Sequence, residues 1–245
     1  MKQFIWKNRF FLLPQLVFIL VCSFYFMVYT KAEIHILINS YHSAVFDFFF
    51  KSITYLGNGF LYIPVLIYLL IREKKWAFAF LIAVIVSNLL LFIFKHALFS
   101  DMYRPWKYFE LYETYQLHMV KGVRLHSLNS FPSGHTTTAF TIFLTLALLT
   151  KKNMAKLLLF FIALLVSYSR VYLSLHFLED IVVGSVIGTG SVMLSVVFFK
   201  YFERPWMNKF RQASSQVFCV TLNAVKSLMI SYKVKDSSPG CPGSE

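Results

Sequence analysis

"NSFPSGHTTTAF", residues 129–140, stands where a long polar stretch gives way to an apolar run. Pro132, Ser133, Gly134 and His135 are poor material for the inside of a membrane helix and good material for its first turn. The stretch therefore reads as a helix start at a membrane boundary. Unpaired backbone amides and the positive end of the helix dipole are directed there at whatever binds.

The rest of the chain supports a membrane setting. Of its 245 residues 58% are hydrophobic and only 14% charged, with a mean hydropathy of +0.61. A soluble domain carries roughly a quarter charged residues. The net charge of +13 then reflects Lys and Arg gathered in cytoplasmic loops rather than a nucleic-acid partner. Cys22 lies in an apolar run and Cys219 and Cys241 in the tail, so neither a disulfide framework nor a Cys/His metal spacing is present. No metal or other cofactor is expected, and nothing in the sequence fixes an oligomeric state.

Six apolar runs are expected to cross the bilayer: about 10–29, 55–71, 76–94, 136–150, 157–169 and 181–199. The first follows a basic start without a small-residue cleavage site and reads as an uncleaved helix, with Pro14 near its first turn. The fourth and fifth fall short of the roughly 20 residues a bilayer needs, and are expected to extend as helix into the flanking polar residues. Residues 31–52, mixed polar and aromatic, are expected to form an interfacial helix. The fold class is thus all-α, a polytopic membrane protein with six transmembrane helices. Residues 1–212 form its membrane domain, with a core at about 80–200. Residues 213–245 form a cytoplasmic tail whose last residues, "SPGCPGSE" at 238–245, have a disordered-type composition.

Charge sets the orientation. The N-terminus and the loops at 72–75 and 151–156 hold nine basic residues and one acid, Glu73. The opposite side, residues 31–54, 95–135 and 170–180, holds eight basic and seven acidic residues over a much longer length. The first side is cytoplasmic by the positive-inside rule, which places both termini in the cytoplasm and Ser133 and His135 outside the cell membrane.

Three clusters fall on that outer boundary: "KHALFSDMYRPW" at 95–106, "PSGH" at 132–135 and "SRVYLSLHFLED" at 169–180. Lys95, Arg104 and Arg170 are three cations at helix ends, a set that suits a multivalent oxyanion such as phosphate. Ser133 offers a hydroxyl, Gly134 a close backbone approach. His176 and Asp180 are four apart and share a helix face. A carboxylate on one imidazole nitrogen leaves the other as a nucleophile, and His135 is positioned in sequence to protonate a leaving oxygen. Each piece alone has a plainer reading: Lys95 and Arg104 as snorkelling anchors, His176 and Asp180 as a structural pair, His135 as a loop residue. Arg204, in "ERPW" at 203–206, echoes Arg104 on the cytoplasmic side and is assigned only anchoring. His35, His42, His96, His118 and His126 are read as surface or packing residues. The joint arrangement carries the inference.

These clusters resemble the signature of the type 2 phosphatidic acid phosphatases, or lipid phosphate phosphatases, which share an active site with vanadium-dependent haloperoxidases. The signature is Lys, an intervening stretch and Arg-Pro; Pro-Ser-Gly-His; and Ser-Arg, five residues, His, three residues and Asp. Pro132 to His135 match the second part, and Ser169, Arg170, His176 and Asp180 the third. The first part departs: eight residues separate Lys95 from Arg104 where the family has six, so a bulged helix end is needed to bring Lys95 in. The resemblance implies metal-free hydrolysis of a membrane lipid phosphate. His176 would be the nucleophile forming a phosphohistidine, Asp180 its orienting acid and His135 the general acid and base. Lys95, Arg104, Ser133, Gly134 and Arg170 would hold the phosphate. Phosphatidic acid, phosphatidylglycerol phosphate, undecaprenyl pyrophosphate and lipid A phosphates all suit it. A vanadium haloperoxidase and a non-catalytic lipid-binding or transport protein remain as alternatives at this stage. The former is disfavoured by the membrane setting, the latter by the intact pair of histidines.

The orientation is testable with cysteines introduced at Glu113 and Asn153 in a background lacking the three native ones. The first is expected to react with an impermeant thiol reagent in intact cells, and the second to stay unlabelled until the cells are lysed. The reverse pattern would invert the topology.

Overall fold

The computed structural model describes residues 2–202, and among these no strand occurs. The chain divides into two units, residues 1–197 and 198–245; of the second only the end of the last helix, to Phe202, is described. The expected tail at 213–245 and Arg204 lie outside the described residues.

Helix α1 (Lys2–Lys7) meets α2 (Arg9–Val28) at Asn8. Pro14 stands inside α2 rather than in its first turn, where it removes one helical donor. Thr30 then opens α3 (Lys31–Ser40) with a capping box: its hydroxyl accepts from the Glu33 amide at 3.3 Å, while its own amide donates to Glu33 Oε2 at 2.8 Å. Ser43 caps α4 (Ala44–Ile53). The expected single interfacial helix over 31–52 is therefore two helices, broken at residues 41–43. The first buries Ile34, His35 and Asn39 instead of lying on the surface.

The second expected span also differs. α4 tightens into a 3₁₀ turn, Thr54–Gly57, and breaks at extended Asn58. The chain resumes through Gly59–Leu61 into α5 (Tyr62–Arg72). The two halves meet at 51°. Asn58 Oδ1 accepts from the Phe60 amide at 3.1 Å and so starts the second half as it ends the first. α6 (Lys74–Phe92), α7 (Pro105–Tyr112, with proline in its first turn), α8 (Gly134–Leu149), α9 (Asn153–Tyr172) and α10 (Leu178–Phe202) follow.

Four segments are long and apolar enough to cross a membrane: Arg9–Val28, Lys74–Leu98, Asn153–Tyr172 and Leu178–Phe199. The bent pair Ala44–Gly57 and Gly59–Arg72 raises the number to five, and α8, apolar but only 16 residues long, stands apart. The fifth expected span did extend into its flanks, to 20 residues; the fourth extended only to Gly134.

Helix α8 is short because it is central. Nearly every residue from Thr136 to Thr145 is buried, packed among α5, α6 and α9. Phe11 of α2, Phe140 of α8 and Phe160 of α9 meet edge to face, with centroids 5.7–6.3 Å apart. The threonines of α8 satisfy themselves: Thr137, Thr141 and Thr145 each donate to the carbonyl four residues back, at 2.7–3.1 Å. Helix α10 lies so close that a Cβ on Gly188 would stand 2.6 Å from the Thr137 carbonyl, whereas one on Gly190 would meet nothing within 4 Å.

This contact yields a paired expectation. Gly188→Ala forces α8 and α10 apart and is expected to cost about 1–3 kcal/mol, the usual range for overpacking. Gly190→Ala is expected to be neutral or to gain up to about 1 kcal/mol from helix propensity. Thermal unfolding in detergent reads both; equal effects would remove the close packing as the reason for Gly188.

Candidate active site

The first cluster is built on a widened turn. α6 runs on as a π-helix over Ile93–Leu98, the bulged end that the eight-residue gap called for. Lys95 Nζ donates to the Asn129 carbonyl at 2.7 Å. Asn129, at a left-handed φ of 56°, reciprocates: its side-chain amide faces the carbonyls of Lys95 and Ser100, each at 3.0 Å. Asn tolerates this conformation better than most residues.

Arg104 is the N-cap of α7, and two main-chain bonds fasten its segment to the returning chain: Arg104 N to Ser127 O at 2.9 Å and Ser130 N to Met102 O at 3.1 Å. Its side chain donates from Nε to Leu128 O at 3.1 Å and from Nη1 to Leu175 O at 3.2 Å. Burial holds its guanidinium below the usual value, while Asp180 opposes that shift.

A cis peptide at Phe131–Pro132 leads into Ser133, the fully buried N-cap of α8. Ser133 Oγ accepts from Thr136 Oγ1 at 3.1 Å, which leaves its own hydroxyl hydrogen uncommitted, and its amide donates to the Asp180 carbonyl at 3.0 Å. Gly134 faces open space, with Leu91 Cδ1 3.9 Å from where a Cβ would lie. His135 packs its Cβ and carbonyl against Gly57, where a side-chain carbon would sit 2.9 Å from both.

The third cluster turns sharply. The Arg170 carbonyl accepts from the amides of Leu175 and His176, at 3.0 and 3.1 Å. Ser174, at φ 54°, makes the reversal, and its hydroxyl is held by His35 Nε2 at 3.1 Å and Asn39 Nδ2 at 3.3 Å. His35 is almost fully buried, and burial pushes its pKa down to about 3; it is a neutral packing residue. Arg170 is buried, with Nη1 donating to Thr54 Oγ1 at 2.8 Å and Nε without a partner.

His176 Nδ1 lies 3.0 Å from Asp180 Oδ2, both residues at most 2% exposed. The same oxygen accepts from Ser130 Oγ and from the Phe177 amide at 3.0 Å. An acceptor at Nδ1 puts the neutral imidazole's proton there and the lone pair on Nε2. Burial, then Arg104, Arg170 and Lys95, hold His176 well below its ordinary value. The ring is therefore unprotonated at Nε2 at neutral pH.

All eight residues singled out in the sequence thus lie around one place: the three cations and His135 act electrostatically on His176. Ser130 and Thr54 were not anticipated. Ser130 carries no motif signal beyond its position two residues before Pro132, and Thr54 lies 116 residues from Arg170. Among the described residues, no three His, Cys, Asp or Glu side chains gather as a metal-binding group would.

The family model described as the PAP2 superfamily matches residues 76–204. The chain belongs to that family. Among solved structures, LpxE of Aquifex aeolicus is 30% identical, covering 67% of this chain and 93% of that one with a TM-score of 0.58. A transmembrane PAP2-type phosphatidylglycerolphosphate phosphatase of Bacillus subtilis is 22% identical, covering 82% of this chain and 99% of that one with a TM-score of 0.57; at that identity the likeness concerns the fold. A comparison with curated proteins found no match. With its apolar helices and this kinship the chain is a multi-pass membrane protein of the PAP2 superfamily. The PAP2 match begins at Trp76 and so leaves out α3, α4 and the 3₁₀ turn, which supply His35, Asn39, Thr54 and Gly57 to the site.

Ser130→Ala removes one donor to the buried carboxylate. Hydrogen bonds to charged groups contribute about 1.5–3 kcal/mol, so phosphatase kcat is expected to fall about tenfold or more with KM little changed. A wild-type kcat in that variant would deny Ser130 its part in holding the pair.

Proposed function

We propose that this protein is a lipid phosphate phosphatase that works through a phosphohistidine. The observation that carries the reading is the buried His176–Asp180 pair, with Nδ1 engaged and Nε2 left as the nucleophile, among three cations. His176 Nε2 attacks phosphorus and the bond to the lipid oxygen breaks. His135 gives that oxygen its proton, and the lipid alcohol, or the lipid monophosphate if the substrate is a pyrophosphate, departs. Water then attacks the phosphohistidine and passes a proton to His135. The P–N bond breaks, and inorganic phosphate leaves with His176 restored. Charge builds on the phosphoryl oxygens in both steps, where Lys95, Arg104, Arg170, the Ser133 hydroxyl and the amides at Gly134 stabilise it. Asp180 keeps the imidazole oriented and stabilises the positive charge it gains on attack.

The bilayer supplies the substrate. In this reading the bent pair counts as one span and α8 as another, which makes six. Residues 1–212 form the catalytic membrane domain, and the basic loops hold both termini in the cytoplasm. The phosphate seat then opens at the outer boundary of the cell membrane. A lipid phosphate such as phosphatidic acid, phosphatidylglycerol phosphate, undecaprenyl pyrophosphate or a lipid A phosphate keeps its chains in hydrocarbon while its headgroup enters. The name of the Bacillus subtilis relative supports a lipid phosphate as substrate. The stretch between Arg104 and Asn129 forms a groove of about 380 Å³ lined by Trp106, Phe109, Glu110, Glu113, Tyr115 and Leu125, suited to selecting among headgroups.

Phosphate release from a panel of lipids by purified protein tests this. His176→Ala is expected to abolish turnover and His135→Ala to cut it severely. Asp180→Asn is expected to be milder, since the imidazole stays but loses its orientation. Each buried methylene contributes about 0.8 kcal/mol of membrane anchoring, so kcat/KM is expected to be far higher for long-chain than for short-chain phosphates of one headgroup. Near-normal turnover by His176→Ala would end the phosphohistidine route. Equal efficiency on p-nitrophenyl phosphate and every lipid tested would end the lipid assignment.

A further inference from the structure

We propose that Thr54, which lies outside the family-matched region, is a positioning residue that aims the Arg170 guanidinium at the substrate phosphate. The inference rests on the phosphatase reading of the site and adds a residue to it.

Arg170 is the most enclosed of the three cations. It is 7% exposed, while Lys95 and Arg104 are half-buried. Those two reach main-chain carbonyls at Leu128, Asn129 and Leu175. Arg170 instead donates from Nη1 to a side-chain hydroxyl, Thr54 Oγ1, at 2.8 Å, and its Nε is buried and unpartnered. A buried guanidinium donor without an acceptor is costly, and a phosphate oxygen among these cations is the acceptor it lacks. A planar guanidinium fixed at one Nη has little freedom left beyond rotation about that contact, so the hydroxyl at Thr54 decides where the remaining N–H groups point.

Thr54 itself is firmly placed. It is buried, at the junction of α4 and the 3₁₀ turn, where α4 packs on α9. Phe50 stacks against Tyr168 and Tyr172 of α9, with centroids 5.3 and 4.5 Å apart. Tyr172 also donates to Asp47 Oδ1 at 2.6 Å. Three residues after Thr54, Gly57 presses on His135 and on Val166, where a Cβ would come within 2.8–2.9 Å of each. One short turn therefore touches both the α9 cation and the helix start that carries His135. A hydroxyl is required at position 54, and the neighbouring contacts hold it in register.

The test is orthovanadate binding to the full-length purified protein in detergent, measured by calorimetry, with thermal unfolding alongside. Thr54→Val keeps the shape and loses the acceptor; Thr54→Ala is the second variant should valine disturb folding. Either is expected to weaken vanadate binding about 10- to 100-fold, the size seen when an orienting partner of a ligand-holding side chain is lost at metal sites. Thr54→Ser, which restores the hydroxyl, is expected to stay within about threefold of wild type. Because Thr54 acts through Arg170, adding Thr54→Val to Arg170→Lys is expected to weaken binding no more than about twofold further. Three results would overturn the inference alone: folded Thr54→Val and Thr54→Ala binding like wild type, Thr54→Ser binding as weakly as valine, or a full valine penalty persisting in Arg170→Lys. A wild-type protein that binds no vanadate would overturn the phosphatase reading, and this inference with it.

Discussion

Oδ2 of Asp180 accepts hydrogen bonds from the Ser130 hydroxyl, His176 Nδ1 and the Phe177 amide, and the Asp180 carbonyl accepts from the Ser133 amide. Those donors come from the approach to α8 and from the turn between α9 and α10. At 1% exposure the carboxylate has no water to fall back on, so each donor is needed to offset its burial. The same bonds that keep Asp180 tolerable fix the imidazole of His176 and the N-terminus of α8. Position the carboxylate and the nucleophile, the phosphate seat and the reversal at Ser174 follow.

Around this point the bundle supplies rigidity rather than chemistry. α8 is enclosed on several sides, and Gly188 and Gly184 let α10 approach to the contact limit against Thr137 and Ser133 carbonyls. A seat at the start of such a helix cannot drift, because the helix below has no free face along which to slide. Precise placement matters more than the number of polar groups when charge develops in a transition state.

The chemistry was legible in the sequence to the extent that it lay in local spacing. His176 and Asp180 share a face because they are four apart, Pro132 to His135 announce a helix start, and the Thr30–Glu33 box appears where a helix begins. The longer gap after Lys95 posed a local question, and the π turn over Ile93–Leu98 answers it. Tertiary partners left no such mark. Ser130 is an ordinary loop serine until Asp180 arrives from fifty residues away, and Thr54 sits in a segment whose aromatic run reads equally well as an interfacial helix. Hydropathy located apolar residues correctly in the second span but not the 51° break at Asn58, since one polar residue between apolar stretches changes an average very little. The shortness of α8 misleads for a related reason: a helix walled by other helices can carry Thr137, Thr141 and Thr145 that a lipid-facing one would not.

The cations in the ligand-free site are held by carbonyl oxygens at Leu128, Asn129 and Leu175 and by the Thr54 hydroxyl. Such oxygens solvate a positive charge without cancelling it, so the three cations go on repelling one another across the gap. A bound dianion removes that repulsion only in the folded state, because the unfolded chain has no seat for it. Occupancy and folding are then linked by mass action: stability rises with the logarithm of anion concentration above its dissociation constant. The empty protein is the weakest form of the bundle, and inorganic phosphate, the product of its reaction, is also its stabiliser.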